Sequence, residues 1–132
     1  MEYVFEMPIK VRDYECDAQG IVNNANYLHY LEITRHDFCE VAGFTFRAMH
    51  ESGLDPVVRK IDIEYISSLT LGETMISKLR MERQGARFLF RQDIFNAETG
   101  APVVRATVTI VCLENGTLSR GERLAEAFRQ YL

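Results

Sequence analysis

The sequence predicts an α+β domain in which one strand and one long helix precede a run of antiparallel strands. Three features lead there. The stretch from Asn24 to Ala42 is rich in apolar side chains and stops at Gly43, a usual helix terminator. Beyond it, four segments of alternating or β-branched residues are divided by glycine turns. Ahead of it, YVFEMPIKVR alternates around Pro8.

The first strand, over residues 3–12, is expected at an edge or bent, because Pro8 has no ladder donor. A loop runs through Gly20. The long helix follows, with Asn23 or Asn24 as its N-cap. Its apolar residues, including Tyr27, Leu28, Tyr30, Leu31, Ile33, Phe38 and Val41, occupy more than one stripe. Such a helix is expected to be buried, with a curved sheet wrapped around it; an amphipathic helix lying on one sheet face fits the same pattern. FRAMHESG, residues 46–53, reads as a second, short helix.

PVVRKIDIEYIS, GETMISKLRMERQG, ARFLFRQDIFNAETG and APVVRATVTIVCLENG read as the remaining strands, from residue 56 to residue 116. The first alternates with slippage: Val58, Lys60, Asp62 and Glu64 against Val57, Ile61, Ile63 and Tyr65. Turn signals fall at Leu71-Gly72-Glu73, Gln84-Gly85, Glu98-Thr99-Gly100 and Asn115-Gly116. Consecutive strands with short turns imply an antiparallel meander. GERLAEAFRQYL closes the chain as a short amphipathic helix.

At 132 residues the chain has the length of one domain, taken here as residues 1–132. Such a chain buries roughly two-thirds of its unfolded surface. A net charge of -4 argues against a nucleic-acid partner. Cys16, Cys39 and Cys112 are odd in number and widely spaced, which fits a reducing compartment. MEYVFEMPIK lacks the features of a secretory leader, and no window approaches the roughly 20 apolar residues of a membrane span. A cytoplasmic protein with no membrane partner is expected.

The segment YECDAQGIVNNANYLHYLE, from Tyr14 to Glu32, places an acid, a glycine and two asparagines at the mouth of the long helix. Helix N-termini carry unpaired N–H groups and partial positive charge. They can polarise a carbonyl oxygen on which negative charge develops. Asp17, brought close by a tight turn at Gly20, could attack such a carbonyl or activate a water. Loop and cap roles alone explain the same residues.

YECDAQGIVNNANYLHYLEITR resembles the signature of the hotdog-fold thioesterases of the 4-hydroxybenzoyl-CoA thioesterase type. The matching positions are Asp17, Gly20, Val22-Asn23-Asn24-Ala25, Tyr27, Tyr30, Glu32 and Arg35. The resemblance implies a five-stranded antiparallel sheet wrapped around one long central helix, with a short C-terminal helix. It implies hydrolysis of an acyl-CoA or acyl-carrier-protein thioester to free acid and thiol. Asp17 would be nucleophile or general base, and backbone N–H groups near Asn24 and Ala25 would hold the thioester oxygen. Val22 and Asn23 would shape the loop, Tyr27, Leu28 and Leu31 would line the acyl pocket, and Glu32 would be a pocket residue. No cofactor is implied beyond the coenzyme A carried by the substrate. Its phosphates suit guanidinium groups, for which Arg87 and Arg91 are the candidates. The resemblance also implies a homodimer or homotetramer with sites where subunits meet, and exposed edge strands give pairing a physical motive.

Three positions depart from the pattern. Ile21 and Asn24 stand where relatives carry histidine, and Gly85-Ala86-Arg87-Phe88 lacks a serine found in others. His29, Glu32 and His36 share a helix face but lack a metal-binding spacing, so no metal is expected and a solvated stripe is favoured. Glu32 could equally pair with His29 or His36. Cys16 reads as a loop or core thiol rather than a nucleophile. The alternatives to hydrolysis are a hydroxyacyl-thioester dehydratase and a non-catalytic acyl-thioester-binding protein on the same fold.

Overall fold

A computed structural model describes residues 2–132. In chain order the elements are β1 (Phe5–Lys10), α1 (Asn24–Ala42), α2 (Phe46–Glu51), β2 (Leu54–Tyr65), β3 (Thr74–Gln84), β4 (Arg87–Asn96), β5 (Pro102–Glu114), β6 (Thr117–Leu118) and α3 (Glu122–Ala127). One antiparallel sheet has the order β1-β3-β4-β5-β2, and β6 pairs with β5. The sheet curls around α1, as the resemblance implies.

Alternation decides which face of the sheet holds the helix. Met75, Ser77, Leu79 and Met81 of β3 are buried, as are Phe88, Phe90, Gln92 and Ile94 of β4. Their intervening neighbours Lys78, Arg80, Arg91 and Asp93 are half-buried on the convex face. On α1 the matching stripe is Tyr27, Tyr30, Leu31, Thr34, Arg35, Phe38 and Cys39. Two apolar clusters result, one around Phe38, Phe88, Phe90 and Phe128, the other around Tyr27, Tyr30, Leu31, Leu69 and Ile94.

The meander is only partly realised. β3, β4 and β5 follow one another, but β2 pairs with β5 at the far edge instead of with β3. The β2–β3 connection therefore crosses one end of the sheet. The slippage along β2 is a bulge between Val58 and Lys60. A sixth strand, absent from the expectation, forms because Asn115 and Gly116, at φ 51 and φ 82, reverse the chain tightly enough to pair two more residues. The C-terminal helix is shorter than expected and gives way at Phe128 to a single 3₁₀ turn, Arg129–Tyr131.

The long helix is buried on one stripe only. Leu28, Ile33 and Val41 are 38%, 42% and 71% exposed. Edge strand β2 likewise exposes Val57, Val58, Ile61 and Tyr65. Within one chain the sheet covers the helix incompletely, and a flank of α1 and the strand at the sheet edge remain apolar and open.

Candidate active site at the start of the long helix

Asp17 sits in a tight turn. Cys16 and Val22 bridge across it, Asp17 N–H donates to Ile21 O at 2.9 Å, and Gly20 N–H donates to Asp17 O at 3.0 Å. Gly20 closes the turn at φ 82, a conformation side chains rarely adopt. The Gln19 N–H donates to Asp17 Oδ1 at 2.9 Å. Among the described residues Asp17 Oδ2 has no hydrogen-bond partner, and Asp17 is only half-buried. One carboxylate oxygen thus holds the turn and the other is open.

The turn is fastened to α1 from two sides. Glu15 O accepts from Asn23 N–H at 3.0 Å and from Asn26 Nδ2 at 2.8 Å. Glu15 Oε1 accepts from Arg12 N–H at 2.6 Å and from the Tyr30 hydroxyl at 2.9 Å. Burial, reinforced by that carboxylate, pushes the Tyr30 phenol far above its ordinary value, so it acts as a fixed donor. On the other side Val22 N–H donates to Leu69 O at 2.9 Å, and Ile21 bridges Thr70. Leu69 N–H in turn donates to Tyr27 Oη at 3.2 Å. The β2–β3 connection is therefore part of the site, because its crossing path lays it against the Asp17 turn.

Asn23 is the N-cap: its Oδ1 accepts from Ala25 N–H at 2.9 Å. Asn26 N–H donates to Asn23 O at 2.9 Å. Among the described residues the Asn24 N–H has no acceptor, so of the two expected amides Ala25 is occupied and Asn24 is open. Asn23, Asn24 and Ala25 are all exposed, and Val22 is buried beneath them. The arrangement leaves one amide open at the helix start and one carboxylate oxygen open in the turn that leads into it.

The other expected residues separate. Tyr27 and Leu31 are 3% and 0% exposed and belong to the core; Leu28 faces outward. Glu32 is exposed and, among the described residues, forms no ion pair with a histidine, while His36 packs on Phe46 with ring centroids 4.5 Å apart. Among the described residues no group of three metal-ligating side chains converges. Arg91 lies on the convex face, held by Glu82 at 2.7 Å and by Thr107 at 2.9 Å. Arg87 begins β4, whose ten residues run about 30 Å to the end near Asp17. Neither arginine meets Asp17 within one chain. Cys16 is held above the ordinary thiol range, first by burial and then by Asp13, Asp17 and Glu15, which disfavours a thiolate.

The Thioesterase-like superfamily model matches residues 11–132. The chain belongs to that superfamily. It is 33% identical over 116 residues to the acyl-acyl carrier protein thioesterase ATL3 of Arabidopsis thaliana, covering 87% of this chain and 61% of that one. It is 33% identical over 114 residues to the putative acyl-CoA thioesterase YneP of Bacillus subtilis, covering 85% and 81%. The crystal structure of YbaW, a probable thioesterase from Escherichia coli, superposes with a TM-score of 0.85 at 28% identity, over 96% of this chain and 97% of that one. The chain spans about three-fifths of the length of the Arabidopsis relatives, at 61% and 59%.

Glu15, Tyr65 and the Leu69–Thr70 strap were not legible as parts of the site. Glu15 lies two residues before Asp17, but its role depends on the loop folding back onto α1. Tyr65 comes from the far edge of the sheet and donates to Asn24 O at 3.2 Å. Only the crossing of β2 to that edge brings it there.

Proposed function

We propose that this chain hydrolyses an acyl thioester of coenzyme A or of acyl carrier protein, releasing free acid and thiol. The observation that carries the reading is the open Asp17 carboxylate oxygen in a turn fastened to a helix start whose Asn24 N–H is unoccupied among the described residues. The thioester carbonyl oxygen sits on that N–H, where the positive end of α1 favours developing charge. Asp17 then attacks the carbonyl carbon, giving an anhydride that water opens, or draws a proton from a water that attacks it. In either case the C–S bond breaks and the sulfur leaves as thiolate and takes a proton; water adds to the acyl carbon, directly or when it opens the anhydride there, so that its oxygen ends in the acid and the Asp17 carboxylate is restored. The relatives named as thioesterases support this reading.

The open flank between α1 and β2 accommodates the acyl group, with Leu28 and Tyr65 at its mouth. A second copy covering the β2 edge would close it, giving a homodimer or a tetramer built from such pairs. Arg87 or Arg91 would serve the nucleotide phosphates across such a boundary. No further cofactor enters the scheme, since coenzyme A arrives with the substrate. Three free thiols, two of them buried, support a reducing cytoplasm. The test is release of free thiol from a panel of aromatic, short branched and long-chain acyl-CoA and acyl-carrier-protein thioesters. Turnover of at least one supports the reading and names the acyl class; a thioester that binds and stays intact makes this a binding protein.

A further inference from the structure

The helix start supplies one open amide, whereas a carbonyl oxygen gathering charge is held best by more than one donor. Ala25 N–H and Asn26 N–H are both committed to Asn23, at 2.9 Å each. Tyr65 reaches Asn24 from its carbonyl side. Its ring leans on Tyr27, with centroids 5.7 Å apart and planes inclined at 60°. Its hydroxyl donates to the carbonyl of Asn24, the residue whose N–H is free, at 3.2 Å. That is long for an O–H···O bond, and α-helical geometry already supplies this carbonyl with the N–H four residues on. The side chain is 46% exposed, braced on one side and free on the other.

We propose that Tyr65 is a catalytic residue of this site, its exposed side chain shifting from Asn24 O toward the helix start so that the hydroxyl meets the thioester carbonyl oxygen as substrate arrives. The inference rests on the hydrolase reading above. Tyr65 and Asn24 N–H then hold the oxygen together as the tetrahedral intermediate forms. The phenol keeps its proton throughout; the charge returns to the carbonyl when the C–S bond breaks. The competing second donor is the exposed side-chain amide of Asn24.

The test compares native protein with Tyr65→Phe, Asn24→Ala and Asp17→Asn on the acyl-CoA that turns over best. Phenylalanine keeps the ring on Tyr27, so the melting temperature should match native. The expected result for Tyr65→Phe is a loss of about 100-fold in kcat with KM within about twofold, the pattern of a donor used only in the transition state. An unchanged kcat, with or without a raised KM, overturns the proposal and leaves Tyr65 as a wall. If Asn24→Ala alone lowers kcat, the second donor is the Asn24 amide and the proposal is again overturned. Loss in Asp17→Asn without loss in Tyr65→Phe sinks this inference alone. Failure of native protein to hydrolyse any thioester removes the hydrolase reading and this inference with it.

Discussion

Glu15 joins the Asp17 turn to the buried hydroxyl of Tyr30, at 2.9 Å, while its backbone carbonyl receives Asn26 Nδ2 at 2.8 Å. One residue thus ties the Asp17 loop to the first two turns of α1. Tyr30 is 1% exposed, so its hydroxyl has no water to turn to. Glu15→Ala is expected to destabilise the fold by about 1–3 kcal/mol, the cost of a stranded buried donor. Glu15→Gln, which keeps an acceptor oxygen, should lose much less. Urea unfolding of the two variants checks this, and equal midpoints for Ala and native would contradict it.

Thr34 and Ser77 share a hydrogen bond of 2.7 Å between α1 and β3, both at 0% exposure. Thr34 Oγ1 already donates its single hydrogen to Tyr30 O at 2.8 Å, so Ser77 must be the donor between them. The two single substitutions therefore differ. Thr34→Val strands the Ser77 hydroxyl and should cost about 1–3 kcal/mol; Ser77→Ala leaves Thr34 its bond to Tyr30 and should cost about 1 kcal/mol. The double variant should cost less than the sum. Additive losses in a double-mutant cycle would count against the assignment.

Glu73 pins the strap that borders the Asp17 turn. Its Oε1 accepts from Thr70 N–H at 2.7 Å and from the Thr70 hydroxyl at 2.8 Å, and its Oε2 from Asn96 Nδ2 at 3.0 Å. The Thr70 backbone bond first, then the Thr70 hydroxyl and Asn96, hold this carboxyl below its ordinary range. A carboxyl lowered on folding stabilises the fold fully above its unfolded value, about 4.3, and loses that contribution as pH falls through the folded value. Glu73→Gln should therefore flatten the fall of melting temperature below about pH 4.3. Parallel acid limbs for variant and native would refute the strap's dependence on this charge.

The apolar edge of β2 is the predicted contact between copies. Val58 is 47% and Ile61 36% exposed on a strand with one unpaired side. Ile61→Lys places a charge there and should shift the sedimenting species toward monomer, with activity falling at low protein concentration. A native protein that sediments as a monomer at all concentrations would rule the pairing out.

Much of the architecture was legible because it rests on local patterns. The capped and glycine-stopped helix, the alternating strands and the hairpin turns are each written in a dozen neighbouring residues. Asp17 and the Asn23 cap lie within one short segment, so their juxtaposition could be read from it. The rest depends on where β2 goes. A strand followed by a turn pairs by default with the next strand, and the sequence carries no local sign that β2 crosses to β5 instead. That crossing brings Tyr65 and the Leu69–Thr70 strap to the helix start, so both were invisible. The exposed flank of α1 has a related cause: its apolar pattern fits a cover that one chain does not complete.

Asp17 is the residue on which the proposed chemistry turns. The most direct measurement is the rate of thiol release by native protein and Asp17→Asn on the same acyl-CoA, with melting temperatures taken alongside. Asparagine keeps an oxygen to accept the Gln19 N–H and hold the turn, and removes only the carboxylate. The expected result is a loss of about 100-fold or more at unchanged stability. A variant that hydrolyses the thioester at the native rate would contradict it and place the chemistry elsewhere in the fold.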